Sequence, residues 1–185
     1  SWENIKSTYE EIEISIQGKI KKIPLNKMPV NDVSNQHHPI LKNFFDAAND
    51  FKFDFNKQLK TSLENQVGNY NVNIFNGFRT SSSKVFLKPI NSNPNLTIFT
   101  KTEVLKLNCE NKKIIGLNIK YKNKIITMKP RIGTILSSGS IMTPYLLLKS
   151  GIGNAKDLED HNIQLNLHSP QVGKNFQDHL GLDYL

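Results

Sequence analysis

The sequence predicts a mixed α/β fold of the α+β kind, and three patterns predict it. Apolar residues recur at helical spacing over residues 40–51, residues 95–128 follow a strand-like alternation, and an apolar run at 132–136 leads into a tight turn and a helix. The chain has 185 residues with 37% hydrophobic side chains. It is therefore long enough to enclose a sizeable core, and its composition does not indicate disorder.

The first half of the chain carries one clear helical pattern. Residues 2–16 mix aromatic and acidic side chains, which is typical of a helix or an irregular cover. After a loop punctuated by prolines, Ile40, Leu41, Phe44 and Phe45 begin an apolar stripe that continues to Phe51 and predicts an amphipathic helix. The polar stretch over 54–76 shows no assignable period.

The next segment predicts an antiparallel meander of three strands. Residues 96–100 run on toward 104–107, residues 115–121 alternate with period two, and residues 124–128 form the third apolar stretch. Turns are predicted at 109–112 and at Lys122-Asn123, which separate the three strands.

The passage over 132–153 predicts a buried strand, a tight turn and a helix. Thr143 can cap this helix, Pro144 suits its first turn, and Gly151 can end it in the left-handed conformation. Such a passage places backbone N–H groups and the positive end of a helix dipole at the end of a strand. We therefore expect an anionic ligand at this turn.

The chain is basic, with 24 Lys and Arg against 16 Asp and Glu and a net charge of +8. The lysines are scattered between strand residues, which predicts a solvated surface and leaves a nucleic-acid-binding face as the alternative. No apolar run is long enough to span a bilayer.

Metal and disulfide chemistry find little support in the sequence. The single cysteine, Cys109, excludes an internal disulfide framework and a cysteine-based metal site, and it is predicted as a surface thiol at a hairpin turn. The histidines show no ligand spacing, so no metal site is predicted. The triplet Asn95-Leu96-Thr97 has the form of a glycosylation acceptor, which weakly indicates secretion.

The turn and helix over 139–153 resemble the second signature of the glucose–methanol–choline (GMC) family of FAD-dependent alcohol oxidoreductases. Every constrained position of the pattern small-small-x-x-Ser/Thr-Pro-x-aliphatic-aliphatic-x-x-Ser-Gly-aliphatic-Gly is filled. Three further segments are similar to family elements in the same order: 77–87 (Gly-x-Arg-x-Ser, then Phe-Leu), 94–98 (Pro-Asn-Leu) and 172–179 (Val-Gly-x-Asn-x-x-Asp-His). Ser138 stands where many relatives have alanine, and Phe176 replaces the common leucine. Within the family, the sequence is most similar to the glucose-dehydrogenase-like branch.

The resemblance implies FAD as the cofactor and assigns four residues to its binding. Val104 would read the adenine edge with its backbone N–H and C=O, and Ser138, Gly139 and Ser140 would lie near the flavin nucleotide. The alternatives are an ordinary strand valine and a tight turn that needs small residues for helix packing. By the same resemblance, Asp178 and His179 belong to a structural element, with acid–base chemistry as the alternative. Arg79 is expected in a surface or core-capping ion pair, with a phosphate contact as the alternative.

The implied activity is the oxidation of a CH–OH group of an alcohol or a sugar, with oxygen or a quinone-type compound as acceptor. Nucleic acid and a membrane span are not expected, and the branch implies an extracellular protein. The glycine-rich pyrophosphate loop and the segment with the family's catalytic histidine do not occur in these residues, so an internal fragment without catalytic residues is expected. A catalytically silent relative that keeps the fold as a binding or structural protein is the alternative.

The resemblance also predicts a division of the chain. Residues 1–94 would form a helical and irregular segment that covers the FAD and substrate regions. Residues 95–175 would belong to the FAD-binding domain, and 176–185 would begin the substrate-binding domain.

Overall fold

The computed structural model describes residues 2–16, 22–58 and 66–179, with the backbone alone described over 54–58. The chain divides into two compact units, an N-terminal unit (Ser1–Thr97) and a C-terminal unit (Ile98–Leu185). The division falls close to the predicted boundary after residue 94. The roles ascribed to 1–94, 95–175 and 176–185 stay predictions.

In its described residues, the N-terminal unit combines two α-helices with short paired strands. Its helices and strands are α1 (Trp2–Ile12), β1 (Glu13–Ile16), β2 (Met28–Asn31), α2 (Leu41–Asp50), β3 (Asp54–Gln58), β4 (Gln66–Asn69), β5 (Ile74–Phe75) and β6 (Phe78–Arg79). The β1–β2 and β3–β4 pairs are parallel, and β5–β6 is antiparallel. The helix predicted over 40–51 is confirmed as α2. The stretch over 54–76, for which no secondary structure was predicted, contributes β3, β4 and β5. Its residues 59–65 lie outside the described part.

Little of the N-terminal unit is buried among the described side chains. Neither α1 nor α2 has a buried residue, whereas Pro29 in β2 and Val85 are buried. The Lys27 ammonium donates to the carbonyl oxygens of Glu10, at 3.1 Å, and Glu11. A cation at the C-terminal end of α1 satisfies carbonyls that have no intrahelical donor and opposes the helix dipole.

The C-terminal unit contains a three-stranded meander and two helices. Its helices and strands are β7 (Glu103–Glu110), β8 (Lys113–Tyr121), β9 (Lys124–Met128), α3 (Gly139–Lys149), β10 (Ile152–Gly153), α4 (Ala155–Asp160) and β11 (Leu167–His168). The order β7-β8-β9 is antiparallel throughout, so the predicted meander is confirmed. Both of its turns have two residues at positive φ, Asn111-Lys112 and Lys122-Asn123, as a type I′ hairpin requires.

Two predictions at the meander are wrong. Residues 96–100 form no strand, because Lys101 has a φ of 53° and interrupts the extended backbone before β7 begins at Glu103. Cys109 lies inside β7, opposite Ile114, and is half-buried, because the turn falls two residues later than predicted.

The strand predicted at 132–136 is also wrong. This segment has no regular structure, and Ile132 and Ile135 are 105% and 92% exposed. Within the described residues, no strand forms a ladder with it. An apolar run satisfies its backbone as a strand only where a neighbouring strand supplies donors and acceptors.

The side chain of Ser150 connects α3 to the meander through two hydrogen bonds. It is 0% exposed, its hydroxyl donates to the Leu146 carbonyl at 2.6 Å, and it accepts the backbone N–H of Leu107 at 2.9 Å. Leu107, Ile119 and Leu146 are buried in the same unit, as is Leu158 of α4. A buried backbone donor on β7 is therefore satisfied by a helix side chain, which fixes the position of α3 on the sheet.

The turn after α3 admits only glycine at its first position. Gly151 has a φ of 76°, and a Cβ there would overlap the Gln164 carbonyl oxygen. The prediction that Gly151 ends this helix in the left-handed conformation is confirmed. No helix in the described part of the chain combines the length and the hydropathy needed to cross a bilayer.

Candidate functional site

The start of α3 is formed by the three small residues that the sequence singled out. Ser138 occupies the N-cap position, and Gly139 is the first helical residue with a φ of 87°. A Cβ at Gly139 would meet no described residue within 4 Å, so the described part of the chain leaves open space in front of this turn. A left-handed glycine at an open turn allows a ligand to approach the backbone closely.

The helix begins earlier than the sequence predicted. Thr143 is not the N-cap residue, although its hydroxyl oxygen accepts the backbone N–H of Ser138 at 3.1 Å and so ties the turn to the helix. Pro144 lies inside α3 rather than in its first turn. Since proline has no N–H, the carbonyl of Ser140, four residues earlier, receives no helical hydrogen bond from position 144.

Ser140 lines a cavity of about 570 Å³ in the C-terminal unit. One wall comes from α3, through Ser140, Pro144 and Tyr145, and the other comes from residues 173–177. The two walls are close, because a Cβ at Gly173 would lie 3.5 Å from Leu148 Cδ1. The cavity thus brings together two of the passages that carry the family resemblance, 139–153 and 172–179.

The charge around this cavity suits an anionic ligand. The first N–H groups of an α-helix have no intrahelical acceptor, and they add to the positive end of the dipole of this eleven-residue helix. Lys174 also lines the cavity, and no Asp or Glu is found among its lining residues within the described ranges. The Lys174 ammonium contacts Asp157 at 3.1 Å in a surface ion pair whose two side chains are about half exposed.

Val104 lies on β7, at the edge of the meander. It is opposite Ile119, and the register shifts between Val104 and Lys106, which marks a β-bulge. Among the described strands, β7 pairs with β8 alone, so its other edge carries main-chain donors and acceptors that this sheet does not use. One of them, the N–H of Leu107, is taken by Ser150.

The structure brings together some of the predicted residues and not others. Ser138, Gly139 and Ser140 are consecutive at the open turn, with Ser140 in the cavity wall. Val104 is in the same unit but is not among the residues that line this cavity. The assignment of all four residues to cofactor binding stays a prediction.

Sequence reasoning missed the aromatic part of this cavity. Tyr145 and Phe176 line it and are 50% and 63% exposed. Lys149 lies 5.6 Å from the centroid of the Tyr145 ring. A signal for the second wall was present in the Val-Gly-x-Asn segment, where Gly173 and Asn175 have φ values of 77° and 55°.

The other polar residues considered in the sequence lie on the surface. Asp178 and His179 are exposed, and the Asp178 carboxylate accepts the backbone N–H of His179 at 2.8 Å. Arg79 is exposed on β6. Among the described residues, no three His, Cys, Asp or Glu side chains cluster closely enough to hold a metal ion.

Residues 1–181 match the family model described as GMC oxidoreductase. An alcohol dehydrogenase [acceptor] of Pseudomonas putida is 35% identical over 158 residues, which are 84% of this chain and 28% of that protein. An oxygen-dependent choline dehydrogenase of Staphylococcus haemolyticus is 34% identical over 143 residues, which are 77% of this chain and 25% of that protein. The chain therefore spans about a quarter of the length of these curated relatives.

Solved structures share the fold. A pyridoxine 4-oxidase from Mesorbium loti superposes with a TM-score of 0.80 at 22% identity, over 92% of this chain and 34% of that one. An FAD-dependent oxidoreductase from Chaetomium thermophilum gives 0.83 at 21% identity, over 96% and 33%. At these identities the likeness establishes the fold.

Proposed function

Since this chain belongs to the GMC oxidoreductase family, we propose that it forms part of an FAD-dependent enzyme that oxidises a CH–OH group of an alcohol. The match of residues 1–181 to the family carries this proposal. The names of the relatives, alcohol dehydrogenase [acceptor] and oxygen-dependent choline dehydrogenase, support a hydroxyl-bearing donor.

The groups present on this chain fit the nucleotide part of FAD. The open space in front of Gly139 and the N–H groups at the start of α3 suit a phosphate, and Ser140 offers a hydroxyl at the same turn. The edge of β7 that faces away from β8, at Val104, suits the donor and acceptor pattern of an adenine. When bound, FAD supplies the two-electron redox chemistry that amino-acid side chains lack.

The part that this chain plays is to bind and orient the cofactor. The main chain at Val104 and the turn over 138–140 would fix the two ends of the nucleotide, while the wall at 173–177 limits the space beside α3. We assign no residue of this chain to proton transfer.

The proposal also covers the donor, the acceptor, the branch of the family and the location of the protein. The donor is an alcohol or a sugar, the acceptor is oxygen or a quinone-type compound, and the protein belongs with the glucose-dehydrogenase-like branch. Secretion is supported by the exposed Asn95 of the Asn95-Leu96-Thr97 triplet.

The activity is tested with the protein expressed at the full length of its reading frame. We expect a purified flavoprotein that reduces an artificial electron acceptor when given a primary alcohol, choline or glucose. A protein that purifies without flavin, takes up no added FAD and reduces no acceptor would contradict the proposal.

The role of Val104 is tested in the same protein with Val104→Pro and, as the control, Val104→Ala. Proline removes the backbone N–H, whereas alanine keeps it, and edge strands tolerate proline better than central ones. Loss of a main-chain hydrogen bond to the cofactor should weaken FAD affinity by about tenfold in Val104→Pro alone. Equal affinities in two folded variants would show that the main chain at 104 does not contact FAD.

A further inference from the structure

The N-terminal unit contains a cavity of about 740 Å³ that is separate from the proposed cofactor-binding residues. This volume falls within the range of small-molecule sites. Most of its lining is apolar, and Val85, which is 5% exposed, is part of it. The cavity thus offers a hydrophobic surface that is continuous with the small core of this unit.

Its first wall is held by a tight hairpin. Phe75 and Phe78 are cross-strand partners on β5 and β6, and the turn between them, Asn76-Gly77, has φ values of 50° and 77°. Directly opposed residues of an antiparallel pair project to the same face. Both rings therefore line the same cavity, with Phe78 71% exposed at its surface.

A second part of the lining comes from a single turn of π-helix at Ser83–Leu87 and from Pro89 just after it. The N–H of Lys88 donates to the carbonyl of Ser83, five residues earlier, which is the bond that defines this winding. Residues five apart then lie on one side of the helix, as Lys84 and Pro89 do. Both line the cavity, together with Val85. Such turns are rare and are often found at functional sites.

The charged side chains that line the cavity are positive. Lys22 and Lys84 line it, and among the residues that the structure describes no Asp or Glu does. In the described part of the chain, neither ammonium group has a hydrogen-bond or ion-pair partner. An anionic group placed here would meet two cations that have no competing carboxylate.

We propose that this cavity binds an amphiphile with an apolar body and one carboxylate, of the class of medium-chain fatty acids. The hydrocarbon body would pack on Phe75, Phe78 and Val85, and the carboxylate would face Lys22 and Lys84. A cationic amphiphile would be repelled by these lysines, and a neutral one would gain only the apolar contact.

The proposal is tested by calorimetric titration of the 185-residue chain with sodium decanoate below its micelle concentration. We expect saturable binding to one site and a loss of about threefold in affinity for Lys84→Met, which keeps an apolar stem and removes the charge. The control is Lys88→Met, at a neighbouring lysine that does not line the cavity. It should leave the affinity unchanged.

Two further measurements separate the apolar contact from the charge contact. The affinity for 1-decanol should be the same in the parent chain and in Lys84→Met, whereas Phe78→Ala should weaken the binding of both ligands. Because Phe78 is largely exposed, this variant should keep the far-ultraviolet circular dichroism of the parent chain. The titration contains no FAD, so its outcome is independent of the flavin proposal.

Three outcomes would overturn the proposal. The first is the absence of saturable decanoate binding by the folded chain. The second is an equal loss of affinity in Lys84→Met and Lys88→Met, which would indicate attraction to the basic surface as a whole. The third is unchanged binding in Phe78→Ala.

Discussion

Helices α2 and α3 have nearly the same length, ten and eleven residues, but they differ in how they are held. α2 has its apolar residues at helical spacing, yet none of its residues is buried and Phe44 is 58% exposed. α3 has apolar residues on all sides, and it buries Leu146 and is joined to β7 through Ser150. Helical periodicity shows which face can be buried, whereas a neighbouring strand decides whether it is.

The largest effect is expected where α3 ends. Gly151→Ala places a Cβ against the Gln164 carbonyl and forces a non-glycine residue to a φ of 76°. Strain and overlap together should lower the free energy of unfolding by about 4 kcal/mol. Urea unfolding followed by circular dichroism measures this, with Gly133→Ala as control, since a Cβ at Gly133 meets none of the described residues within 4 Å. Similar losses in both variants would contradict the geometry at this turn.

The next largest effect is expected in the core under α3. Leu146 is 5% exposed, so Leu146→Ala should lower the free energy of unfolding by about 3 kcal/mol through lost burial and a residual cavity. Ile141, on the same helix, is 67% exposed, and Ile141→Ala is the matched control. If the two variants unfold at the same urea concentration, α3 is not packed as described.

The link between α3 and the sheet should contribute less. Ser150→Ala leaves the buried N–H of Leu107 without its acceptor, which should cost about 2 kcal/mol. Ser137→Ala, at an exposed serine before the same helix, should change stability by less than about 0.5 kcal/mol. Faster amide hydrogen exchange at Leu107 in Ser150→Ala would identify the lost bond directly, and an unchanged exchange rate would argue against it.

The smallest effect is expected in α2. Because Phe44 is mostly exposed, Phe44→Ala should change the free energy of unfolding by about 0.5 kcal/mol or less. The same unfolding experiment measures it beside Leu146→Ala. A loss of several kcal/mol would mean that α2 is buried as firmly as α3, and the contrast between the two helices would fail.

The features that the sequence predicted correctly depend on local patterns. The apolar stripe of α2 and the alternation in β8 are visible within one element, and Lys122-Asn123 forms the turn that the pattern placed there. The position of the first turn was missed because Cys109 and Glu110 continue β7 instead of entering the turn.

The features that were missed depend on partners elsewhere in the chain. Residues 132–136 have the composition of a buried strand, but a strand also needs a neighbour for its hydrogen bonds. The start of α3 was misplaced because proline is commonest in a first turn, whereas Pro144 removes only one bond, to Ser140, and the helix tolerates it there. The wall at 173–177 depends on the contact of Gly173 with Leu148, and sequence spacing alone does not predict that contact.

The position of Cys109 allows the exposure of the β7–β8 hairpin to be followed by chemical labelling. It is the only thiol in the sequence, and it lies half-buried near the end of the β7–β8 hairpin, opposite Ile114. A half-buried thiol reacts more slowly with a thiol reagent than a fully exposed one, and separation of that end of the hairpin would expose it further. A change in the labelling rate therefore reports a change in the exposure of this end of the meander, at one site and without any substitution.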